Sequence, residues 1–420
     1  MKAKLNFLCL VAAAISLSLG AEIAFAGSNS LTSAELDKID SYLNGYYKNV
    51  VVAKTTKNAL GEPVSCVDIY HQPALNNPLL VGHKIQTEPS PELQKIIKYV
   101  KQDTTSSSCP NGSIETKLPT REQIVAIGSL EKFLSKHLDA TKNSLSPSPI
   151  IMPPSTSGHY YAIIGSNVNS IAAQTTFNIW QPSVRSDINN FSLSQLWIAG
   201  GTAGTSSSQT VEVGWQVYPL LYQDNLPHLF IYFTADGYNS TGCYNLTCGA
   251  FVQTSNILTI GGALPSSTFN GTQIEGTLAV YRDPATSNWI LFYVDANGNY
   301  IQSGYYPGAL FGSGQLSQHS TTIQFGGEVA LDSNYPLVYP PMGSGSNPFF
   351  NHTGYGQVAY QRNIKYLDTS SQIHDVAVGW SYFSPLRCSY DVEWAYGASS
   401  YGAQPSWGTS ILFGGAGTCS

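Results

Sequence analysis

Val211–Pro219 reads VEVGWQVYP, and its alternating pattern decides how the rest of the chain is interpreted. In a β-strand, successive side chains point to opposite faces of the sheet. One face of this predicted strand is apolar and is expected to face a core: Val211, Val213, Trp215 and Val217. The other face carries a carboxylate at Glu212, a glycine at Gly214 and an amide at Gln216. We expect the glycine to leave room for a large group above this polar face.

Thr322–Val329, TIQFGGEV, repeats the pattern about a hundred residues later. Its polar face carries Gln324, Gly326 and Glu328, opposite an apolar face. Two such strands can line one groove with a glutamate each. Two carboxylates in one groove are typical of acid–base chemistry.

Length and composition indicate an extracellular β-protein of two domains. The chain has 420 residues, of which 42% are hydrophobic and 12% aromatic. Only 11% are charged, against roughly a quarter in typical soluble domains. The formal net charge of −6 disfavours a nucleic-acid binder, and no later apolar run is long enough to predict a membrane span.

Residues 1–26 have the pattern of a secretory signal peptide. Lys2 and Lys4 precede the apolar run Phe7–Leu19, and Ala24 and Ala26 provide small residues for cleavage. The sequence therefore predicts a secreted protein, extracellular or periplasmic.

Six cysteines remain after the signal peptide, an even number that indicates disulfides in a secreted chain. Sequence alone leaves their connectivity open. Proximity along the chain favours three pairs: Cys66–Cys109, Cys243–Cys248 and Cys388–Cys419.

A change in composition predicts a pro-domain at residues 27–144, a linker at 145–158 and a longer domain at 159–420. The linker reads LSPSPIIMPPSTSG, and its four prolines oppose both helices and strand ladders. Residues 27–150 contain 13 Lys/Arg and 12 Asp/Glu, whereas residues 151–420 contain 5 and 13. Helix signals in the pro-domain begin at Thr32, Ser90 and Thr120, the last two extending to Val100 and Leu138.

Strand patterns dominate beyond Gly158, while Val64–Tyr70 is the only clear strand predicted before it. About ten to fourteen short strands predict an all-β domain, an antiparallel two-sheet β-sandwich with a concave groove, preceded by a smaller α+β pro-domain. The predicted strands are Tyr160–Ile164, Gln174–Trp180, Gln195–Ala199, Glu212–Tyr218, His228–Thr234, Ala250–Gln253, Gly276–Tyr281, Trp289–Val294, Thr321–Val329 and Ile373–Trp380.

Several ordered blocks of the sequence resemble the neprosin family. In the longer domain they are Glu212–Pro219, Tyr222–Asp224, Thr234–Tyr238, Gly242–Gln253, Gly304–Pro307, Gly326–Val329 and Pro341–Gly345. In the pro-domain, Ser65–Ala74 and His83–Gln86 are similar to the neprosin activation peptide. Tyr306 stands where the family usually has tryptophan, and residues beyond about Arg362 match less clearly.

The resemblance implies a secreted glutamic endopeptidase that works at acid pH and cuts on the carboxyl side of proline. It implies that Glu212 and Glu328 are the catalytic pair. Two carboxyls in one site cannot easily both ionise, so the pair holds one proton between them. By analogy with other sandwich-type glutamic peptidases, Glu328 is predicted to be the base and Glu212 its acid partner. Gln216 and Gln324 share their faces and are candidate oxyanion donors.

Aromatic side chains are candidates for a pocket that binds the substrate proline, although each is individually expected in a core. The candidate substrate contacts among them are Tyr218, Tyr305 and Tyr306, and Trp180 and Trp215 are weighed in the same way. The expected partners are peptide or protein substrates that contain proline, together with the chain's own pro-domain as intramolecular inhibitor. A monomer is expected.

The sequence is also compatible with other functions. An arbitrary glutamate on a strand is usually a solvated surface residue, yet residues 151–420 offer only five Lys/Arg as salt-bridge partners. A glycan-binding sandwich or a glycoside hydrolase also fits the strands and carboxylates. Motifs of serine hydrolases, zinc peptidases and P-loop enzymes are absent, and no cofactor or metal is predicted.

The charge distribution predicts acid activation. Residues 151–420 carry few cations and should tolerate acid, whereas the pro-domain should loosen. Cleavage is then expected in the linker, by the chain itself, after Pro147, Pro149, Pro153 or Pro154.

Overall fold

The computed structural model describes residues 31–58, 60–102, 108–136, 158–332, 335, 339–348, 354–383, 390–396 and 405–417. The predicted signal peptide and all of the predicted linker except Gly158 lie outside these residues. The described chain is mostly antiparallel β-sheet with few helices, as the sequence predicted.

The first part of the chain, residues 31–136, is called the pro-part. Its elements are α1 (Ser33–Tyr47), β1 (Val52–Lys57), β2 (Pro63–Asp68), α2 (Pro91–Gln94), β3 (Ser113–Thr116), α3 (Arg121–Ile127) and α4 (Leu130–Leu134). The three strands form a small antiparallel sheet with β2 in the middle.

Three details of the pro-part differ from the prediction. It contains three strands rather than one. The helix predicted from Ser90 to Val100 ends at Gln94, because residues 95–97 form a turn and Tyr99 then pairs with Tyr300 of the longer domain. The helix predicted from Thr120 to Leu138 is broken at Gly128, whose φ of 96° lies in the left-handed region that favours glycine.

The described residues between 158 and 417 fold into two packed antiparallel sheets. The smaller has seven strands in the order β17, β4, β14, β6, β7, β8, β9. Their bounds are β4 His159–Ser166, β6 Phe191–Gly200, β7 Gln209–Val217, β8 His228–Thr234, β9 Cys243–Tyr244, β14 Thr322–Ala330 and β17 Trp380–Phe383.

The larger sheet has nine strands, in the order β10, β13, β12, β11, β5, β15, β19, β18, with β16 also paired to β15. Their bounds are β5 Ser170–Asn178, β10 Val252–Gln253, β11 Glu275–Arg282, β12 Trp289–Val294, β13 Tyr300–Tyr306, β15 Ala359–Asp368, β16 Ile373–Asp375, β18 Asp391–Tyr396 and β19 Thr409–Gly414. One short helix, α5 (Pro219–Tyr222), follows β7.

Alternation places the predicted apolar side chains between the sheets. Val213 and Trp215 of β7 and Phe325 of β14 are buried in one core with residues of the nine-stranded sheet, such as Phe177 and Leu291. Burying these side chains stabilises the sandwich by roughly 1.5–3 kcal/mol each. The opposite face of the seven-stranded sheet is therefore left to carry the polar residues, and it is called the groove face.

The pro-part contacts both sheets. Its segment 120–136, called the plug, lies on the groove face, where Ile124, Ile127 and Phe133 share a buried cluster with Phe191 and Phe230. Its segment 69–102, called the strap, packs against the nine-stranded sheet. Leu80, Leu93 and Ile97 of the strap are buried in the same core as that sheet.

Two of the three predicted disulfides are confirmed. Cys66 and Cys109 are bonded within the pro-part, and Cys243 and Cys248 close a short loop after β9. Cys388 and Cys419 lie outside the described residues. Among the helices that the structure describes, none is both long and apolar enough to cross a membrane.

Candidate active site

β6 lies between the two strands that carry the glutamates, and its Gln195 pairs in register with Gly214 of β7 and Gly326 of β14. Both glycines are required by close backbone approach. A Cβ at Gly214 would lie 1.9 Å from the carbonyl oxygen of Ser194, and Gly326 has a φ of 146°. They therefore allow the strands to pair tightly, which differs from our expectation that they leave room for a large group.

Glu212 is fully buried on the groove face. Its Oε1 accepts hydrogen bonds from the hydroxyl of Tyr238, at 2.6 Å, and from that of Thr210, at 2.9 Å. Both donors are neutral. They orient the carboxylate and leave Oε2 facing its other partner.

Glu328 is also fully buried, and it is held by nitrogen donors. Its Oε1 lies 2.6 Å from Nδ1 of His159, and its Oε2 accepts from Nε2 of Gln195 at 3.1 Å. His159 begins β4 and pairs in register with Ala330, so the small alanine leaves its ring beside Phe191. Nε2 of His159 is buried and has no hydrogen-bond partner among the described residues.

Lys136 of the plug joins the two glutamates. Its Nζ lies 2.8 Å from Oε2 of Glu212 and 2.9 Å from Oε2 of Glu328, and its side chain is 1% exposed. A group as small as an ammonium ion therefore contacts both carboxylates at once. The sequence argument against salt bridges considered only the cations of residues 151–420, and it was wrong because the partner comes from the pro-part.

Burial and ion pairing act against each other in this cluster. Burial raises the pKa of Glu328, but the Lys136 charge and the His159 hydrogen bond lower it further, so the pKa stays below its ordinary value. Burial lowers the pKa of Lys136, while the two carboxylates raise it above its ordinary value. An ammonium between two carboxylates is therefore the stable arrangement of the closed chain.

Aromatic rings surround the glutamates on the groove face. Phe133, three residues before Lys136, is 1% exposed in the cluster that contains them. The ring members of that cluster from the longer domain are Phe191, Tyr218, Phe230, Tyr232, Tyr238 and Tyr244. The plug therefore packs one ring against this aromatic surface and places one ammonium group between the two glutamates.

Three predicted substrate contacts lie on the groove face but are not the donors to the glutamates. The amide of Gln216 contacts the hydroxyls of Tyr244 and Tyr222. The hydroxyl of Tyr218 donates to Asn189. Gln324 lies in the row of Glu212, with Trp197 of β6 between them.

Tyr305 and Tyr306 belong to β13 of the other sheet. The Tyr305 hydroxyl contacts His83 and Gln86 of the strap. Tyr306 packs between Phe233 and Phe251 in the core. Trp180 and Trp215 are likewise core residues.

Sequence reasoning missed Gln195, His159, Tyr238 and Lys136. Gln195 lies in a strand that the sequence predicted. Its position between the two glycines depends on the order of the strands in the sheet, which the sequence does not give. The histidines were searched only for metal-ligand spacing, which does not detect a single carboxylate partner.

Within the part of the chain that the structure describes, one group of residues has ligand atoms close enough together for a metal: Glu62, Asp224 and His228. Its hydrogen-bonding capacity is already used. Glu62 pairs with Lys117 at 2.6 Å, and His228 bonds Asp224 through Nε2 and the carbonyl of Gly261 through Nδ1. Each part therefore contributes its own ion pair, and the backbone N–H of Ala263 links them by donating to Oε2 of Glu62 at 2.8 Å.

Comparison with known families identifies both parts of the chain. The Neprosin family model matches residues 188–416, more than half of the chain, and the Neprosin activation peptide model matches residues 55–165. The second match extends past the predicted linker into β4, so the domain boundaries remain a prediction.

Two crystal structures of scytalido-glutamic peptidase also match. The one with a peptide-based transition state analog is 10% identical and covers 62% of this chain and 98% of its own, at a TM-score of 0.32. The one with a transition state analog inhibitor is 12% identical and covers 61% and 98%, at a TM-score of 0.30. These similarities are too low to support an assignment, and the family of the chain is assigned from the family models alone.

The matches to both models, over the two parts that the sequence had separated, lead to one assignment. The chain belongs to the neprosin family, as a glutamic-type peptidase preceded by its activation peptide.

Proposed function

We propose that this chain is a secreted glutamic endopeptidase, active at acid pH, that cleaves on the carboxyl side of proline and is made as a latent precursor. The observation that carries the proposal is the contact of one nitrogen with both Glu212 and Glu328 within 2.9 Å. A water molecule is of similar size, so it can be activated by one carboxylate while the other serves as acid.

Glu328 is the proposed base. Once Lys136 leaves, Glu328 keeps an imidazole donor and an amide donor, which favour its ionised form. Glu212 keeps two hydroxyl donors, which are neutral and which also accept hydrogen bonds, and it is the proposed acid.

In the proposed reaction, the water oxygen attacks the peptide carbonyl carbon and its proton passes to Glu328. Glu212 gives its proton to the departing nitrogen as the C–N bond breaks, leaving a new carboxyl group and a new amine. Nε2 of Gln195, next to Oε2 of Glu328, is the proposed donor to the developing oxyanion, in place of Gln216 and Gln324.

Specificity for proline is supported by the aromatic surface that Phe133 fills in the latent chain. Proline rings pack well on aromatic faces. We expect kcat/KM for peptides with proline before the cut to exceed that for alanine analogues by about tenfold or more. Equal rates would exclude this specificity.

Secretion is supported by the signal-like N-terminus and by two disulfides, which persist in oxidising compartments. Latency is supported by Lys136, which occupies the space between the glutamates. We propose a monomer that is processed within residues 145–158. N-terminal sequencing after acid treatment should find a start there, and an uncut chain with full activity would contradict processing.

The central experiment compares acid proteolysis by the full chain with its Glu212→Gln and Glu328→Gln variants. Each substitution should lower kcat by roughly 10²–10⁴-fold, because it removes one acid–base group. Glu275→Gln, which alters an ion pair with Arg362 away from the groove, is the control and should keep its activity. Sugar binding that survives replacement of both glutamates, with no proteolysis by the parent chain, would favour a glycan-binding protein instead. Cleavage of polysaccharides rather than proline peptides by the parent chain at acid pH would favour a glycoside hydrolase.

A further inference from the structure

The strap carries a glutamine whose side-chain amide is hydrogen-bonded by the longer domain at both its amino and its carbonyl end. Nε2 of Gln86 donates to Oδ2 of Asp283 at 2.8 Å. Its Oε1 accepts from the hydroxyl of Thr286 at 2.8 Å and from Nδ2 of Asn288 at 2.7 Å. A carboxylate thus faces the amino side of the amide, and two donors face its carbonyl side.

The backbone of the same residue is also held. The N–H of Gln86 donates to the Tyr305 hydroxyl at 2.9 Å, and its carbonyl oxygen accepts from Nε2 of Gln302 at 2.7 Å. Four residues later the N–H of Ser90 donates to Oδ2 of Asp283 at 2.7 Å. The site therefore binds an extended peptide and selects one side chain in it.

The groups that bind Gln86 are fixed by the longer domain itself. Oδ1 of Asp283 accepts from the backbone N–H of Ala285, and Oδ1 of Asn288 accepts from that of Gly308. Asp283 is fully buried and Asn288 is 4% exposed. The longer domain therefore orients both side chains through its own backbone, by hydrogen bonds in which the strap takes no part.

Removing the strap would leave Oδ2 of Asp283 without the two donors it has in the closed chain. Water would solvate this carboxylate in the open site, and a peptide that supplies both donors again would replace that water. The side-chain amide of a glutamine in an incoming peptide would supply an N–H donor for Asp283 and a carbonyl acceptor for Thr286 and Asn288.

We propose that Asp283, Thr286, Asn288, Gln302 and Tyr305 form a second peptide-binding site, specific for glutamine in an extended segment. The inference rests on the proposed function in one respect, that the pro-part leaves after processing. The site lies on the nine-stranded sheet, whereas the catalytic glutamates lie on the seven-stranded sheet. Glutamate is rejected because its carboxylate would face Asp283, and asparagine because it is one methylene shorter.

The test in trans uses a labelled peptide of residues His83–Pro91, HKIQTEPSP. The protein is the full chain carrying Glu328→Gln, which an added protease opens in the linker, so that binding does not depend on the chain's own activity. The pro-part is released in acid and removed, and binding is then measured at neutral pH, where a glutamate in the peptide is ionised. We expect saturable binding of the peptide, at least about tenfold weaker when its glutamine is replaced by glutamate. Absence of saturable binding, or equal binding of both peptides, would overturn the proposal while leaving the peptidase mechanism untouched.

Two protein variants locate the site. Asn288→Asp replaces a donor to Oε1 by a carboxylate and should weaken peptide binding about tenfold or more. Asn297→Asp makes the same chemical change in the exposed turn between β12 and β13 and should not alter it. Equal losses in both variants would also overturn the proposal.

A test in cis uses the uncut chain and needs no dissociation. Gln86→Glu should expose the strap to limited proteolysis about tenfold faster, whereas Thr87→Glu, an exposed neighbour with the same added charge, should not. Two sources of ligand remain, and KM distinguishes them. A lower KM for substrates extended with glutamine assigns the site to substrates, and an unchanged KM with strong peptide binding assigns it to the released strap.

Discussion

The plug reaches the seven-stranded sheet through an ammonium group between two carboxylates, whereas the strap crosses the nine-stranded sheet through amide hydrogen bonds and apolar side chains. The first attachment is an ion pair, whereas the second combines apolar packing with hydrogen bonds to neutral groups and to the carboxylate of Asp283. Acid therefore acts on the two differently. It removes the charges that hold the plug and leaves most contacts of the strap unchanged.

The largest effect is expected from Lys136→Met, which removes the plug's charge and keeps its length. Breaking a buried ion pair by removing one partner costs about 3–5 kcal/mol, because the carboxylates stay buried without it. The uncut variant should therefore show peptidase activity at a pH where the parent chain is silent, measured with a short proline peptide.

Lys132→Met is the matched control, since Lys132 lies in α4 of the same segment and its ammonium contacts neither glutamate. If the two variants are equally silent, the ion pairs of the plug are not the cause of latency.

Acid should release the two attachments at different pH. The lowered pKa of Glu328 means that protonation favours the released plug. This stabilisation is complete above its ordinary value of 4.5 and is lost as the pH falls through the lowered value. Burial lowers the pKa of His83 from 6.5, so the strap weakens from about that pH downwards. Protease sensitivity of the strap should rise at higher pH than activity appears, and coincident transitions would refute the distinction.

His159→Asn should give an intermediate effect, confined to the groove. Losing a hydrogen bond to a charged group costs about 1.5–3 kcal/mol, so kcat/KM at acid pH should fall about tenfold or more. Because His159 lowers the pKa of Glu328, the acidic limb of the pH–rate profile should move to higher pH. His374→Asn, which loses contacts with Asp368 and Tyr366 and none with either groove glutamate, should leave the profile in place. A lower rate with an unmoved limb would mean that His159 acts on folding alone.

The smallest effect is expected from His83→Phe in the strap. It keeps a ring but loses the contact with the Tyr305 hydroxyl, 2.8 Å away, which is worth about 1 kcal/mol. The strap should be slightly more sensitive to protease, and its transition near the pH of histidine ionisation should disappear. Lys84→Met, at an exposed neighbouring position, should retain that transition.

The sheets and the shared face of Glu212 and Glu328 could be predicted because both depend on local alternation. Glu212 and Glu328 stand opposite apolar residues that must enter a core, so their orientation follows from the pattern alone. The disulfides at Cys66 and Cys243 followed from short separations along the chain.

The partners of that pair could not be predicted, because they depend on which strands and segments become neighbours. Gln195 reaches Glu328 only because β6 lies between β7 and β14. Lys136 belongs to a different part of the chain, and its sequence neighbourhood resembles an ordinary solvated helix end. The end of the strap, from Ser90 to Val100, was predicted as one helix because Leu93 and Ile97 have helical spacing, which also suits packing against a sheet.

The bond between Cys66 and Cys109 encloses the whole strap in a covalent ring. A single nick anywhere inside that ring opens the backbone but sheds no fragment, so both new ends stay tethered. On a non-reducing gel the nicked pro-part should therefore run as one band of unchanged mass. On a reducing gel the same sample should show two fragments. Release of a piece of the strap would then need either a second cut or a reductant. The disulfide therefore prolongs the time for which the strap covers the nine-stranded sheet.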